Sequence, residues 1–217
     1  MNVVYYTTVE PSTIKEGNIY SDLCGRFPTT SSRGNKYIYV MYVYDCNVIL
    51  TTAMKNRGNK DTITAFTSLT EDLKRRRIYP GLHFMDNKAS TALNMTMTII
   101  NIKYQLVPQS NHRSNNAERA IQKSKNHFIA GLWSVDKYFY LRLWERLFQK
   151  STISLNLIRQ SITLPHISAY TYIFGEFYFN RTPLAPPGTR VVMHNRPNNL
   201  ALWAPHGEDG WFIVPSM

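Results

Sequence analysis

Hydrophobic and polar positions along the chain change their period several times, and each change predicts a new element. Short apolar runs rich in aromatic and β-branched residues predict strands, and apolar residues that recur every three or four positions predict helices. The predicted strands of the first part are 19–28, 37–44, 48–52, 81–85 and 102–107. The predicted helices are 61–77, 91–100, 116–132 and 136–160.

The order of these elements predicts how the sheet is built. Three strands come first and are joined by short turns, and the later strands alternate with helices. A sheet that begins antiparallel and continues through helical crossovers is a mixed α/β sheet. We therefore predict an α/β fold with a mixed five-stranded sheet flanked by helices.

The composition changes after residue 172, where helical periodicity gives way to prolines and turn residues. Residues 181–188 are rich in proline and predict a linker. Short strands are predicted after it at 189–193, 200–203 and 210–214. We expect them to form a small β module that is cut off at Met217. The predicted domains are a leading arm at 1–18, a core at 19–180, the linker at 181–188 and the β module at 189–217.

The net charge of the chain indicates which class of partner it binds. The chain has 217 residues, with 25 Lys and Arg against 14 Asp and Glu, and a formal net charge of +11. Residues 111–190 alone hold eleven basic and four acidic residues. Such a basic excess favours a nucleic-acid partner over a membrane surface. The longest apolar stretch, 37–50, is interrupted by Asp45 and is too short to span a bilayer, so we expect no membrane segment.

The cysteines and the start of the chain indicate the compartment. Cys24 and Cys46 are too few for a disulfide-rich scaffold or for a zinc site built from cysteines. The chain opens without a basic and then apolar leader, so a signal peptide is not expected. We therefore expect an intracellular protein with two ordinary reduced thiols.

Three carboxylates stand out because the chain is poor in acids. Asp22 lies inside the first predicted strand, Asp86 at the carboxyl end of the fourth, and Glu118 in the first turn of the third helix. The first and fourth strands can be neighbours in such a sheet, and the three carboxylates would then converge. A cluster of this kind needs cations to stay ionised, and Mg²⁺ suits it because this ion combines few carboxylates with water and phosphate oxygens.

Each acid also has a simpler explanation. Asp22 could be a bulge or turn residue near Gly25, and Asp86 could serve only to end its strand. Asn115 and Glu118 fit the two ends of a capping box at the start of a helix. On the residues alone, these explanations stay open beside a two-metal site for in-line phosphoryl displacement.

Several segments resemble one family of proteins. Tyr-Ser-Asp-Leu-Cys-Gly-Arg-Phe-Pro at 20–28 and the turn at 31–37 are similar to the first strand and hairpin of retrotransposon integrase cores. His-Phe-Met-Asp-Asn at 83–87 resembles their second-aspartate strand, and Asn-Asn-Ala-Glu-Arg at 115–119 resembles their catalytic-glutamate helix. Over residues 18–175, the chain thus resembles the retroviral integrase superfamily, of the copia-like retroelement type, with an RNase H-like fold.

This resemblance implies an enzyme, a D,D,E polynucleotidyl transferase. Asp22, Asp86 and Glu118 would be catalytic and would bind two Mg²⁺ or Mn²⁺ ions. The implied reactions are attack of water near a retroelement DNA end, followed by attack of the freed 3′-hydroxyl on target DNA. The implied partners are the retroelement ends, the target DNA and further copies of the chain, and the implied location is the nucleus when chromosomal DNA is the target.

The resemblance also implies nucleic-acid contacts around the glutamate helix. Lys125 lies seven residues after Glu118 on the same helix face, where the family often places a basic DNA contact. Further candidates are Lys123 on the neighbouring face, Arg119 as a helix or phosphate contact, and His112 and Arg113 in the loop before the helix. Segment 188–214 looks like the small SH3-like barrel that follows many integrase cores, with its tryptophans either in its core or facing DNA.

Two other functions remain open beside an active integrase core. The chain could be an inactive or co-opted core that binds nucleic acid without chemistry. It could also be another RNase H-like nuclease, which would hydrolyse RNA in hybrids and join few DNA ends. Metal-dependent turnover, as opposed to salt-sensitive DNA binding alone, distinguishes these readings.

Overall fold

A five-stranded sheet forms the centre of the protein. The computed structural model describes residues 16–86, 90–107, 116–182, 184–194 and 204–213. The strands of the central sheet are β1 (Glu16–Leu23), β2 (Tyr37–Val43), β3 (Val48–Met54), β4 (Tyr79–Asp86) and β5 (Lys103–Val107). The helices are α1 (Asn59–Arg75), α2 (Thr91–Ile99), α3 (Asn116–Trp133), α4 (Trp144–Ile158) and α5 (Ala169–Phe174).

The sheet mixes antiparallel and parallel neighbours in the order β3-β2-β1-β4-β5. β1, β2 and β3 form an antiparallel meander, whereas β4 pairs parallel to β1 and β5 parallel to β4. The two turns of the meander use residues that accept a left-handed backbone, Gly34 at φ 85° and Asn47 at φ 58°. The predicted mixed five-stranded sheet flanked by helices is confirmed.

Helices cover both faces of the sheet, so the central strands are buried on two sides. β2 shows this most clearly, because Tyr39, Met41 and Val43 pack on one side and Ile38, Val40 and Tyr42 on the other. The first side also takes the apolar residues of α1, α2 and α5. The second side takes those of α3 and α4, among them Phe128, Trp144 and Leu147. A strand buried on both faces needs a continuous apolar run, and 37–44 has one.

The outer edge of β3 is partly covered by a side chain instead of a strand. Asn156 on α4 is buried, its Oδ1 accepts from the backbone N of Ile49 at 2.9 Å, and its Nδ2 donates to the carbonyl of Ile49 at 2.7 Å. One amide thus pairs both backbone groups of an edge residue, as a neighbouring strand would.

The second half of the chain differs from the sequence prediction in two places. The helix predicted from 136 begins only at Trp144, after a short 3-10 helix at Leu141–Leu143. The reason is local, because the side chain of Asp136 accepts from the backbone N of Tyr138 and its carbonyl from that of Phe139, which holds a turn. Helix α5 was not predicted; it is six residues long and is capped by Ser168, whose side chain accepts from the backbone N of Thr171.

A two-stranded hairpin near the end of the described chain packs against the core. Its strands are β6 (Arg190–His194) and β7 (Gly207–Trp211), which pair antiparallel. Trp211 is partly buried and meets Phe139 edge to face at 5.8 Å, so for this tryptophan a packing role is the observed one. The predicted strand at 200–203, with Trp203, lies outside the described residues. The SH3-like assignment and the domain boundaries stay predictions.

The remaining predictions from composition concern thiols and membranes. Cys24 and Cys46 are both free cysteines, and Cys46 is buried in the core, as expected for reduced thiols. In the ranges that the structure describes, none of the helices combines the length and the apolar character that a bilayer crossing requires.

Candidate functional site

Asp22 lies one residue before the end of β1, at the carboxyl edge of the parallel part of the sheet. It pairs with Val40 of β2 in a regular register, and the irregularity of β1 lies at Gly17 and Asn18, so the bulge explanation for Asp22 is wrong. Its side chain is exposed, and Oδ1 accepts from the backbone N of Leu23 at 2.7 Å. The carboxylate therefore has a fixed orientation and access to solvent.

Asp86 is the last residue of β4, the parallel neighbour of β1. The register joins Tyr20 to Phe84, and Asp22 and Asp86 each follow two residues later on their strands. Asp86 is also paired with Val107 of β5. Its side chain lies outside the described part of the structure. The backbone alone thus places the two aspartates on adjacent strands at the same edge.

Glu118 is in the first turn of α3, and its side chain is exposed. The helix packs on the sheet face that carries Val40, since Ala120 and Val40 belong to the same buried cluster. Directly opposed residues of an antiparallel pair point to the same face, so Asp22, which opposes Val40, lies on the α3 side. Asp22 and the helix that carries Glu118 therefore share one face. The predicted N-cap Asn115 lies outside the described residues.

The pKa of the Cys24 thiol shows that a charge from β1 and a charge from α3 lie near the same point. The pKa of the Cys24 thiol is raised to about 11, mainly by burial and also by the carboxylate of Asp22, while the ammonium of Lys125 acts to lower it. Both charges must be close to the thiol for this to occur. Because its pKa is so high, the thiol stays protonated at neutral pH and is a poor nucleophile.

A buried hydrogen-bond chain crosses three strands directly beside Asp22. The hydroxyl of Tyr39 donates to Ser21 Oγ at 2.6 Å, and Ser21 Oγ lies 2.7 Å from Nε2 of His83. Ser21 then donates its only proton to His83, which leaves the imidazole proton on Nδ1, 3.1 Å from the sulfur of Met97. The ring of His83 also stacks on Phe66, with centroids 5.0 Å apart.

Burial keeps this chain neutral. It lowers the pKa of His83 to about 3 and raises the pKa of Tyr39 well above its usual value. No net charge therefore builds up under the site, and the hydrogen bonds tie β1 to β2 and β4 at the residue before Asp22. Sequence reasoning quoted Ser21 and His83 as parts of motifs but assigned them no role. A histidine inside a predicted core strand was the available signal.

An open recess adjoins Asp22 at the ends of β1 and β4. Its volume is about 390 Å³. It is lined by Ser21, Asp22, Leu23, Tyr39, Arg57, Asn59, Thr62, Met85, Ser90 and Leu93. The lining combines strand ends with the first turns of α1 and α2, so the carboxyl edge of the sheet offers room for a substrate next to the aspartate.

The predicted nucleic-acid contacts fall into two groups. Arg119, Lys123 and Lys125 are exposed on α3, and the first two line a small cavity together with Arg159, a residue that sequence reasoning did not single out. His112 and Arg113 lie outside the described residues. The basic residues of α3 therefore lie next to Arg159 at the end of α4.

The donor set suits a hard divalent cation, since it consists of carboxylates at an exposed edge. In the described part of the chain, no three His, Cys, Asp or Glu side chains are grouped as metal ligands. That part does not include the side chain of Asp86, which is one of the three predicted ligands. Of the two carboxylates whose side chains are described, Asp22 is exposed near the end of β1, and Glu118 is exposed on the helix that covers the same sheet face.

Solved structures share this architecture. The core domain of BIV integrase matches with a TM-score of 0.51 and 14% identity, over 73% of this chain and 93% of that one. The core domain of HTLV-2 integrase in complex with magnesium, in its dimeric form, matches with a TM-score of 0.53 and 14% identity, over 76% and 99%. The fold is that of a retroviral integrase catalytic core. In this chain, β1 and β4 are adjacent parallel strands, and α3 packs on the sheet face on which Asp22 lies.

A longer match extends the comparison beyond isolated cores. The intasome of simian T-cell lymphotropic virus, in complex with PP2A regulatory subunit B56 gamma, matches with a TM-score of 0.57 and 12% identity, over 92% of this chain and 69% of that one. At the level of sequence, no family model matches the chain, and no curated protein matches it.

Proposed function

We propose that the chain is the catalytic core of a retroelement integrase, of the copia-like retrotransposon type. The observation that carries this proposal is the position of Asp22 and Asp86 at the carboxyl ends of adjacent parallel strands, with Asp22 on the sheet face that the helix of Glu118 covers. The integrase-core fold and the basic excess of the chain support it. The chain would act on retroelement DNA ends and target DNA, in the nucleus when the target is chromosomal, and as part of a longer polyprotein.

In this proposal Asp22, Asp86 and Glu118 hold two Mg²⁺ or Mn²⁺ ions. When bound, the ions supply activation of the attacking oxygen and stabilisation of the leaving oxygen in an in-line phosphoryl displacement. Water would first break a phosphodiester near the retroelement end, and the freed 3′-hydroxyl would then replace a bridging oxygen in the target strand. Neither displacement needs a covalent bond to the protein, in agreement with the protonated thiol of Cys24.

The residues of the chain would position this chemistry. The Tyr39–Ser21–His83 chain holds β1 in register at Ser21, directly before Asp22, without adding a charge. Lys125, exposed two helical turns after Glu118, would bind a DNA phosphate. The dimeric and trimeric forms of the HTLV-2 core lead us to propose that this chain also assembles with further copies of itself.

The test is metal-dependent DNA nicking and joining by the purified chain. A supercoiled plasmid and a labelled short duplex are incubated with the protein and Mn²⁺ or Mg²⁺, and parallel samples contain EDTA. We expect nicked plasmid and labelled plasmid only with metal, and neither product with Asp22→Asn or Asp86→Asn. Glu71→Gln, an exposed acid on α1, is the matched control and should retain both products.

The same experiment distinguishes the second function that stays open, a nucleic-acid-binding module without chemistry. That function predicts salt-sensitive DNA binding with no products under any metal condition. Products that form equally in EDTA, or with the Asp22→Asn variant, would contradict the proposed carboxylate site. Cleavage of the RNA strand of a hybrid without any DNA joining would indicate a different nuclease of the same fold.

A further inference from the structure

A small cavity lies where the start of α3 meets the β2–β3 turn and the end of α4. It is lined by Tyr42, Asn47, Arg119, Ala120, Lys123 and Arg159, and its volume is about 110 Å³. This is room for several water molecules. A single tetrahedral oxyanion has a similar size.

The guanidinium of Arg159 is held in place at this cavity. Its Nε donates to the carbonyl of Asn47 at 2.9 Å, and its Nη2 donates to Asn47 Oδ1. The hydroxyl of Tyr42 donates to the same Oδ1 at 3.0 Å, and the guanidinium carbon lies 5.7 Å from the centre of the Tyr42 ring. A planar donor group fixed in this way loses little conformational freedom when it binds an anion.

The charge at the cavity is positive and comes from two separate elements. Arg119 and Lys123 project from α3, and Arg159 follows the last residue of α4. The described residues that line the cavity include no carboxylate. In the described part of the chain, neither Lys123 nor Arg159 takes part in an ion pair. Burial also lowers the pKa of Arg159, which shows that this cation is partly removed from water.

We propose that Arg119, Lys123 and Arg159 form a binding site for one phosphate group, and that the phosphate belongs to the backbone of bound DNA. Charge-assisted hydrogen bonds from a fixed guanidinium and two further cations are suited to a phosphodiester oxygen. Lys123 is five residues from Glu118, about 7.5 Å along the helix at 1.5 Å per residue. The choice of DNA as the source rests on the proposed function.

The test measures how salt weakens DNA binding. A fluorescein-labelled short duplex is titrated with the full chain in EDTA, and anisotropy gives the affinity between about 50 and 200 mM NaCl. Each phosphate contact contributes about 0.9 to the slope of log affinity against log salt. We expect Lys123→Gln to reduce this slope by about that amount. Lys103→Gln, an exposed lysine on β5, is the matched control and should leave the slope unchanged.

A second arm tests whether the site takes a free anion. Thermal unfolding of wild type and Lys123→Gln is followed with and without inorganic phosphate. A slope that falls only with Lys123→Gln supports the DNA backbone as the source. The slope could instead stay unchanged while phosphate raises the Tm of wild type only. That result supports the anion site but identifies free phosphate, and not DNA, as its ligand. No difference between Lys123→Gln and Lys103→Gln in either arm overturns the site.

The outcome is separate from that of the proposed enzyme. Binding in EDTA requires no turnover, so a chain that never nicks DNA can still show the expected loss of slope. Conversely, metal-dependent joining with an unchanged slope in Lys123→Gln and no phosphate effect would retain the enzyme and remove the phosphate site. Circular dichroism of both lysine variants confirms that they fold, since each replaces an exposed side chain.

Discussion

The buried imidazole of His83 makes the stability of the fold depend on pH. The ring is fully buried between Phe66, Ser21 and Met97, and it accepts a hydrogen bond at Nε2. A proton on that nitrogen would remove the acceptor that Ser21 needs and would place a charge in the core without a counter-ion. Lowering the pH should therefore favour the unfolded state, in which His83 can take up a proton.

The size of the effect follows from the two pKa values. Burial lowers the pKa of His83 from 6.5 to about 3 in the folded protein, whereas the unfolded chain exposes the ring to water. Between these values the unfolded state binds more protons, so the free energy of unfolding falls as the pH is lowered. At about 1.36 kcal/mol for each pKa unit, the step from pH 7 to pH 5 removes about 2 kcal/mol of stability.

Urea unfolding at the two pH values, followed by tryptophan fluorescence, measures this loss in wild type and in His83→Gln. Other groups also titrate, including His127, whose pKa is lowered by burial in the same direction. The difference between the two proteins isolates His83, and we expect the pH dependence of His83→Gln to be smaller by about 2 kcal/mol. His166→Gln replaces an exposed ring and should behave as wild type.

Equal pH dependence in wild type and in His83→Gln would refute the reasoning. A second readout does not depend on the variant being folded at both pH values. In wild type, proton NMR should show one histidine ring that does not titrate between pH 7 and pH 5, because its folded pKa is about 3. If every histidine ring titrates in that range, His83 is not buried in neutral form.

Three further outcomes are expected. The thiol of Cys24 should react slowly with a disulfide reagent at neutral pH, Asp22→Asn should speed the reaction by lowering the thiol pKa, and Lys125→Gln should slow it. Asn156→Leu leaves two backbone groups at the edge of β3 unpaired, so urea unfolding should show a loss on the order of 2–4 kcal/mol. Gly188→Ala puts a Cβ 2.6 Å from a valine methyl at φ +71°, so it should destabilise the protein by about 1–3 kcal/mol in the same assay and speed protease cleavage near the hairpin. Unchanged thiol rates in both charge variants, or wild-type unfolding curves for Asn156→Leu or Gly188→Ala, would contradict the contacts described here.

The sheet could be predicted because the apolar pattern of each strand reflects which of its faces are buried. β2 is apolar at every position that faces a helix layer on either side, and the turns before and after it contain Gly34 and Asn47. Local pattern also placed Asp22 in a strand, Asp86 at a strand end and Glu118 in a first helical turn. These are properties of short segments, which periodicity and turn chemistry describe well.

The features that were missed depend on partners far apart in the chain. His83 looks like any core histidine until Ser21, 62 residues earlier, is seen beside it. Arg159 gains its place from Asn47, 112 residues away. The late start of α4 has a different cause, since a turn at Asp136 competes with a helix that periodicity alone would allow. Pattern gives the elements, whereas such contacts depend on how the elements pack.

The position of β1 between β2 and β4 also affects the order in which the protein folds. The β1–β2–β3 meander joins residues close in sequence, so its loops close at low entropic cost. The β1–β4 pair joins residues 64 positions apart, as in Tyr20 with Phe84, and must wait for a much larger loop. During synthesis, the meander can therefore form while β4 is still inside the ribosome. The edge of β1 that later receives β4 is then an unpaired template, and the two aspartates come together only in the slow, non-local step.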